Sequence, residues 1–288
     1  MPLCLRLFLL LIIPLISQGQ HQQRELFLYN VSCGAIVGGV GAVINKPKGE
    51  NWKKALVRGL WQGSAGGTLN FCGKKMLYYV NRDYTLAYAW PAKIVHDAGT
   101  SIVEGAAANK PFLRDWHTDV GPVRLDFSMN AQQKATVRFL PASLYSIIAG
   151  FAHGRLDVSK SVSSGNLCFV NNDSYLSAVA GGYKIGMSYG RALVYINDVE
   201  RYQTISHELV HQFQFDEYQS LNSWLIPLNK KVKSESVKSL FSKYVYFDMP
   251  YMVIGYVIEK KYAGDNFYKN FYEFEAESFS TNQYVKRH

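Results

Sequence analysis

The chain has 288 residues, 48% hydrophobic and 18% charged, with a formal net charge of +9. That balance excludes a disordered tail, a coiled-coil rod and a collagen-like chain, and it is long enough to bury a sizeable core. A basic excess points to nucleic acid or to an anionic surface, and the first residues decide between them.

Residues 1–19 read as a secretory signal peptide. Arg6 supplies the positive start, Leu7 to Ile16 the apolar stretch, and Ser17 and Gly19 the small residues a signal peptidase reads. The alternative is an uncleaved N-terminal anchor. Export to the periplasm, outer membrane or extracellular space is expected, with an anionic membrane surface or cell-wall polymer as the basic partner and no nucleic acid. Cys33, Cys72 and Cys168 remain after the leader, too few for a disulfide framework; one bridge is open to them, in a pairing the sequence leaves undecided.

Residues 20–110 form a glycine-rich helical region. Leu26 to Ile44 is almost uncharged and carries Gly34, Gly38, Gly39 and Gly41; Trp52 to Leu69 carries Gly59, Gly63, Gly66 and Gly67. Small residues four apart let two helix backbones approach closely, and Pro47-Lys48-Gly49 supplies a turn, so a helical hairpin is expected. Leu26 to Ile44 is long enough to span a bilayer, but Lys53, Lys54 and Arg58 on the partner favour tight packing outside one. Further helices are expected over Cys72 to Val80 and Lys93 to Ala108, with His96 as a core or surface histidine.

Residues 111–197 read as an antiparallel sheet with one buried face. Val123 to Phe127 and Ala135 to Leu140 alternate, a short helix covers Ala142 to Phe151, and Arg155 to Val158, Leu167 to Val170 and Ala192 to Ile196 follow as strands. Residues 198–288 are helical again, with Asp198 as N-cap and a basic stretch of Lys230, Lys231, Lys233, Lys238 and Lys243. That stretch reads as a solvated helix face or an anionic-lipid contact. The 198–288 region and the sheet are expected to form one domain, and the fold class is α+β.

The motif that carries chemistry is His207-Glu208-Leu209-Val210-His211. Residues four apart share a helix face, so both imidazoles can hold one Zn²⁺. Glu208 lies about 100° round from His207, near enough to take a proton from a water on the metal without being a ligand. Tyr202, Ile205, Leu209 and Phe213 make the apolar stripe beside the histidines. The third ligand is sought in Glu273-Phe274-Glu275-Ala276-Glu277, on a helix expected from Gly264-Asp265 to Tyr284. Glu273 would ligate, Glu277 one turn on would accept the second N–H of a ligating histidine, and Glu275 would face solvent.

These residues resemble the gluzincin group of zinc metallopeptidases. Glu273-Phe-Glu-Ala-Glu277 is similar to the Glu-(Tyr/Phe)-x-Ala-Asp element of the prenyl-protein and stress-peptidase branch, with Glu277 in place of the usual Asp. The resemblance covers Gly190 to Ser280 and implies a zincin-type core of edge strand, active-site helix and ligand helix. The residues before it look like a secreted bacterial protein family rather than a peptidase domain.

Two functions follow. One is an exported zinc peptidase acting on peptide or protein substrates, with Glu208 as general base and Ala192, Leu193, Val194, Tyr195 and Ile196 as an edge strand that binds the substrate backbone. The other is a non-catalytic envelope or lipid-contacting protein with a zinc-stapled helix pair. Three ligands with an open fourth position favour the first. Tyr218, Tyr251, Tyr256 and Tyr262 are all candidates to stabilise the oxyanion, and no spacing argument selects one.

Overall fold

The computed structural model describes residues 21–129, 135–172, 176–177, 183–198, 201–229, 234–235, 239, 243–264 and 269–281. The expected leader and Lys230, Lys231, Lys233 and Lys238 lie outside them. The architecture is α+β, with helices packed on and around two small sheets.

Helix α1 (His21–Ile44) and helix α2 (Trp52–Met76) run antiparallel, joined by a turn through Gly49. Asn51 caps α2 by accepting a bond from Lys53 N at 2.9 Å. The helices touch backbone to backbone: a Cβ added at Gly38 would stand 2.6 Å from Gly59 O. Helix α2 does not stop at Leu69 as expected. It runs on through Cys72 and ends at Met76, and the short α3 (Tyr78–Arg82) follows. Helix α4 (Ala89–Ala107) lies against α2, where a Cβ at Gly66 would come within 2.6 Å of Gly99 O. Among the described helices α1 alone has the length and hydropathy to cross a membrane, yet Leu26, Asn30 and Ala42 are buried against the rest of the protein.

Strands β1 (Asp115–Val120), β2 (Val123–Ser128) and β3 (Ala135–Phe139) form an antiparallel sheet. Its buried side reverses the expectation. Arg124 is buried, whereas Phe127, Val137 and Phe139 are exposed. Arg124 goes inward because it meets Asp119 at 2.8 Å and Glu104 at 3.1 Å and lies 3.6 Å from the Tyr246 ring centroid. Strand β1 gives no period-2 apolar signal because its buried residues are His117, Thr118 and Asp119.

Helix α5 (Pro141–His153) leads to β4 (Arg155–Leu156). The expected strand to Val158 ends there, because Asp157 caps helix α6 (Val158–Ser164) by accepting from Lys160 N at 2.9 Å. Strand β5 (Leu167–Asn171), the short pair β6 (Leu176–Ser177) and β7 (Tyr183–Lys184), β8 (Gly186–Tyr189) and β9 (Ala192–Ile196) complete the β structure. The second sheet has the order β4-β5-β9-β8 and is mixed, not antiparallel throughout: β5 and β9 are parallel, the other two pairings antiparallel. Strand β9 is therefore central and buried along its whole length, which corrects the edge-strand expectation for Ala192 to Ile196. Among the described strands the two edges of this sheet are β4 and β8, and β8 is the one beside β9. Because Ile196 N bonds Ile185 O at 3.0 Å, Met187 and Tyr189 also face β9, and the N–H and C=O groups of Gly186 and Ser188 point outward.

Helix α7 (Arg201–Gln219) packs on one face of this sheet and α5 on the other. After a 3₁₀ turn (Ser220–Leu225) come α8 (Ile226–Asn229), α9 (Tyr251–Ala263) and α10 (Phe271–Thr281). Gly264, expected near a helix start, instead ends α9 at φ +60°, and α10 begins at Phe271. One apolar cluster joins Leu26 and Phe71 of the hairpin to Leu193 of β9, to Ile205, Leu209 and Phe213 of α7, and to Phe274 and Phe279 of α10. Cys33, Cys72 and Cys168 are all free thiols.

Candidate metal centre

The apolar stripe of α7 sets the site. With Ile205, Leu209 and Phe213 in the core, His207 and His211 turn toward α10, whose own Phe274 and Phe279 anchor it in the same core. Glu273 stands in the first turn of α10, facing both imidazoles. Its Oε2 is 3.1 Å from His207 Nε2 and 3.3 Å from His211 Nε2, and the two nitrogens are 3.2 Å apart.

These three edges test the fit of a metal. A tetrahedral zinc with bonds of about 2.0–2.1 Å separates neighbouring ligand atoms by about 3.3 Å. The triangle found has that size, and one cation would meet a lone pair from each of the three atoms. His207, His211 and Glu273 thus fit zinc. The other described grouping of metal-type side chains is His96, Asp97 and Asp216. Cations of the chain already face both of its carboxylates, Lys93 at 3.6 Å from Asp97 and Arg191 at 2.8 Å from Asp216.

Without a cation the three groups hold one another by charge. Burial raises the Glu273 carboxyl, but the charge of His211 and hydrogen bonds from His207 and His211 outweigh it and hold the group well below the ordinary range. Burial lowers His207, but hydrogen bonds to Glu273 and Glu277 prevail and push it up to about 10 in the absence of a cation.

The outer contacts orient the rings. His207 Nδ1 is 3.4 Å from Glu277 Oε2, which leaves Nε2 to face the triangle. His211 Nδ1 is 2.8 Å from Gln214 Oε1. Gln214 belongs to no sequence motif, although three residues after His211 it shares that helix face. Tyr256 on α9 donates to Glu273 Oε1 at 2.8 Å, so it alone of the four tyrosines considered contacts a ligand. Tyr218 pairs with Tyr272, Tyr251 bonds Asn222, and Tyr262 is exposed.

Glu208 is 6% exposed, and no edge of the triangle involves it. Its carboxylate lies against β8, where a Cβ added at Gly186 would come 2.9 Å from Glu208 Oε1. Ala192 to Ile196 do not join the site as an edge; they form the strand beneath it. Glu275, expected in solvent, is 1% exposed and bonds Lys74, Asn30 and Gln214. No family model, no curated protein and no solved structure matches the chain.

Proposed function

We propose that this protein is a zinc-dependent peptidase with a gluzincin-like core built from β8, α7 and α10. The observation that carries the reading is the triangle of His207, His211 and Glu273 donors, with Glu208 buried beside it. When bound, zinc supplies a Lewis acid that polarises a carbonyl and makes water a nucleophile near neutral pH. Glu208 accepts the proton of the attacking water and returns it to the leaving amine. Glu277 and Gln214 keep the two imidazoles presenting Nε2.

Substrate binding moves one strand outward from the sequence expectation. An extended peptide adds to β8 through the outward N–H and C=O groups of Gly186 and Ser188, beside Glu208. Gly186 lacks a side chain where one would strike Glu208. An exported enzyme working at an anionic envelope surface fits the leader-like start and the net charge of +9.

The test pairs metal analysis with a broad peptide-library digest. Wild type is expected to hold one zinc and cleave. Glu208→Gln is expected to keep the zinc and lose hydrolysis, because an amide cannot take the proton. Equal turnover by both would sink the peptidase reading and leave the stapled-helix alternative.

A further inference from the structure

A chain of buried side chains runs from the glycine-packed hairpin to His211. Gln214 Nε2 lies 3.1 Å from Tyr272 O and 2.8 Å from Glu275 Oε2. A carbonyl and a carboxylate only accept, so the amide must turn its NH₂ toward them. That leaves Gln214 Oε1 facing His211 Nδ1 at 2.8 Å. An amide oxygen also only accepts, so His211 carries a proton on Nδ1, which leaves Nε2, the nitrogen facing Glu273 and His207, as the one that would meet a metal.

Glu275 and the Tyr272 carbonyl together fix Gln214, and two residues of the hairpin fix Glu275. Its Oε1 accepts from Asn30 Nδ2 at 2.8 Å and from Lys74 Nζ at 2.9 Å. Lys74 has no exposed surface; it also bonds Asn30 Oδ1 at 3.0 Å and the Glu217 carboxylate at 2.8 Å. Glu217 in turn meets His96 Nε2 of α4 at 3.3 Å. A lysine this deep is tolerated only because carboxylates pair with it. Neither Lys74 nor Asn30 has a contact with a donor atom of the triangle.

We infer that Lys74, with Asn30, is a positioning residue of the metal centre: it holds Glu275, which orients the Gln214 amide, which fixes His211 in the tautomer that ligates through Nε2. The inference rests on reading His207, His211 and Glu273 as the zinc site. It makes the N-terminal hairpin a working part of that site.

The test uses the mature full chain labelled with ¹⁵N-histidine. Zinc affinity is read by competition with a chromophoric chelator, imidazole coordination by ¹⁵N shifts of the zinc-loaded protein, and folding by thermal melts. Wild type is expected to show His211 bound through Nε2 with a proton on Nδ1. Glu275→Gln keeps the shape, but Lys74 and Asn30 Nδ2, both donors, claim the new amide oxygen. Its NH₂ then opposes the Gln214 NH₂, so Gln214 either keeps only its bond to Tyr272 O or turns over, gives up that bond and offers NH₂ to His211 Nδ1. Zinc affinity should fall about 10- to 100-fold, as with other changes to groups that orient a ligand. Lys74→Met should lose affinity in the same range. If it does not fold, Glu275→Gln decides the matter alone. The exchange Gln214→Glu with Glu275→Gln restores an acceptor opposite His211 and should regain part of the loss, which a merely structural defect would not. Zinc binding by folded Glu275→Gln within twofold of wild type, or His211 coordinated through Nδ1, overturns the inference while the zinc site stands. Failure of wild type to bind zinc overturns the site and the inference together.

Discussion

His207 and His211 have different orienting partners. Glu277, opposite His207 Nδ1, was legible from the sequence because it stands four residues after Glu273 on the same helix. Gln214, opposite His211 Nδ1, carries no charge and belongs to no motif, so only the packed structure picks it out. The ligand and its neighbour should separate in measurement. Glu273→Gln is expected to weaken zinc strongly, since two protein ligands hold it poorly. Glu277→Gln should cost about 10- to 100-fold in zinc affinity or activity. Chelator competition on both variants checks this, and equal losses would mean that Glu277 is a ligand rather than a support. Glu275 shows the limit of helix phase as a guide. It does point away from the histidines, but toward Lys74 and not toward water. The far face of α10 packs on the hairpin.

At the scale of elements, apolar periodicity orients a helix packed on the core, while buried polar partners decide which side of a strand turns inward. The stripe of Ile205, Leu209 and Phe213 gave α7 its orientation. The alternation of β2 gave a strand with the wrong side inward, because the two acids and the tyrosine ring that draw in Arg124 come from other elements. For β9, the run Ala-Leu-Val-Tyr-Ile fits an edge or a centre alike, and its parallel pairing with β5 across a long connection is invisible locally. Proline distinguishes the two strands now in question. Val194 sits in β9 between β5 and β8, so Val194→Pro should abolish folding. Ser188 turns its N–H out of the sheet, so Ser188→Pro should leave the thermal melt nearly unchanged and raise KM for peptides. A Ser188→Pro protein with unchanged KM would move substrate binding away from β8.

At the scale of the molecule, the three sequence zones share one apolar cluster and one buried charge network. Asp119 of β1 binds Arg124 of β2 at 2.8 Å and Arg191, just before β9, at 2.6 Å; Arg191 reaches Asp216 of α7 at 2.8 Å. This network ties the antiparallel sheet to the helix that bears His207 and His211. Burial raises the Asp119 carboxyl, but the two guanidinium groups outweigh it and hold the group far below its ordinary value. A carboxylate whose folded value is depressed contributes stability that is present above its unfolded value, about 3.9, and is lost as pH falls. The urea midpoint should therefore drop between pH 5 and pH 2. Asp119→Asn should start lower at pH 7 and show a shallower fall. Parallel pH profiles for the two proteins would remove Asp119 from the account.

The zinc-type motif, the third-ligand candidate and its neighbour, and the glycine spacing that lets α1 and α2 touch are all legible along the chain. Each is a local pattern in which residues three or four apart share a helix face. Tertiary structure alone decided which strand is the edge, which residue of β2 turns inward, and what Lys74 and Glu275 do. Those outcomes depend on partners distant in the chain, and a buried charge goes where its counter-charge is.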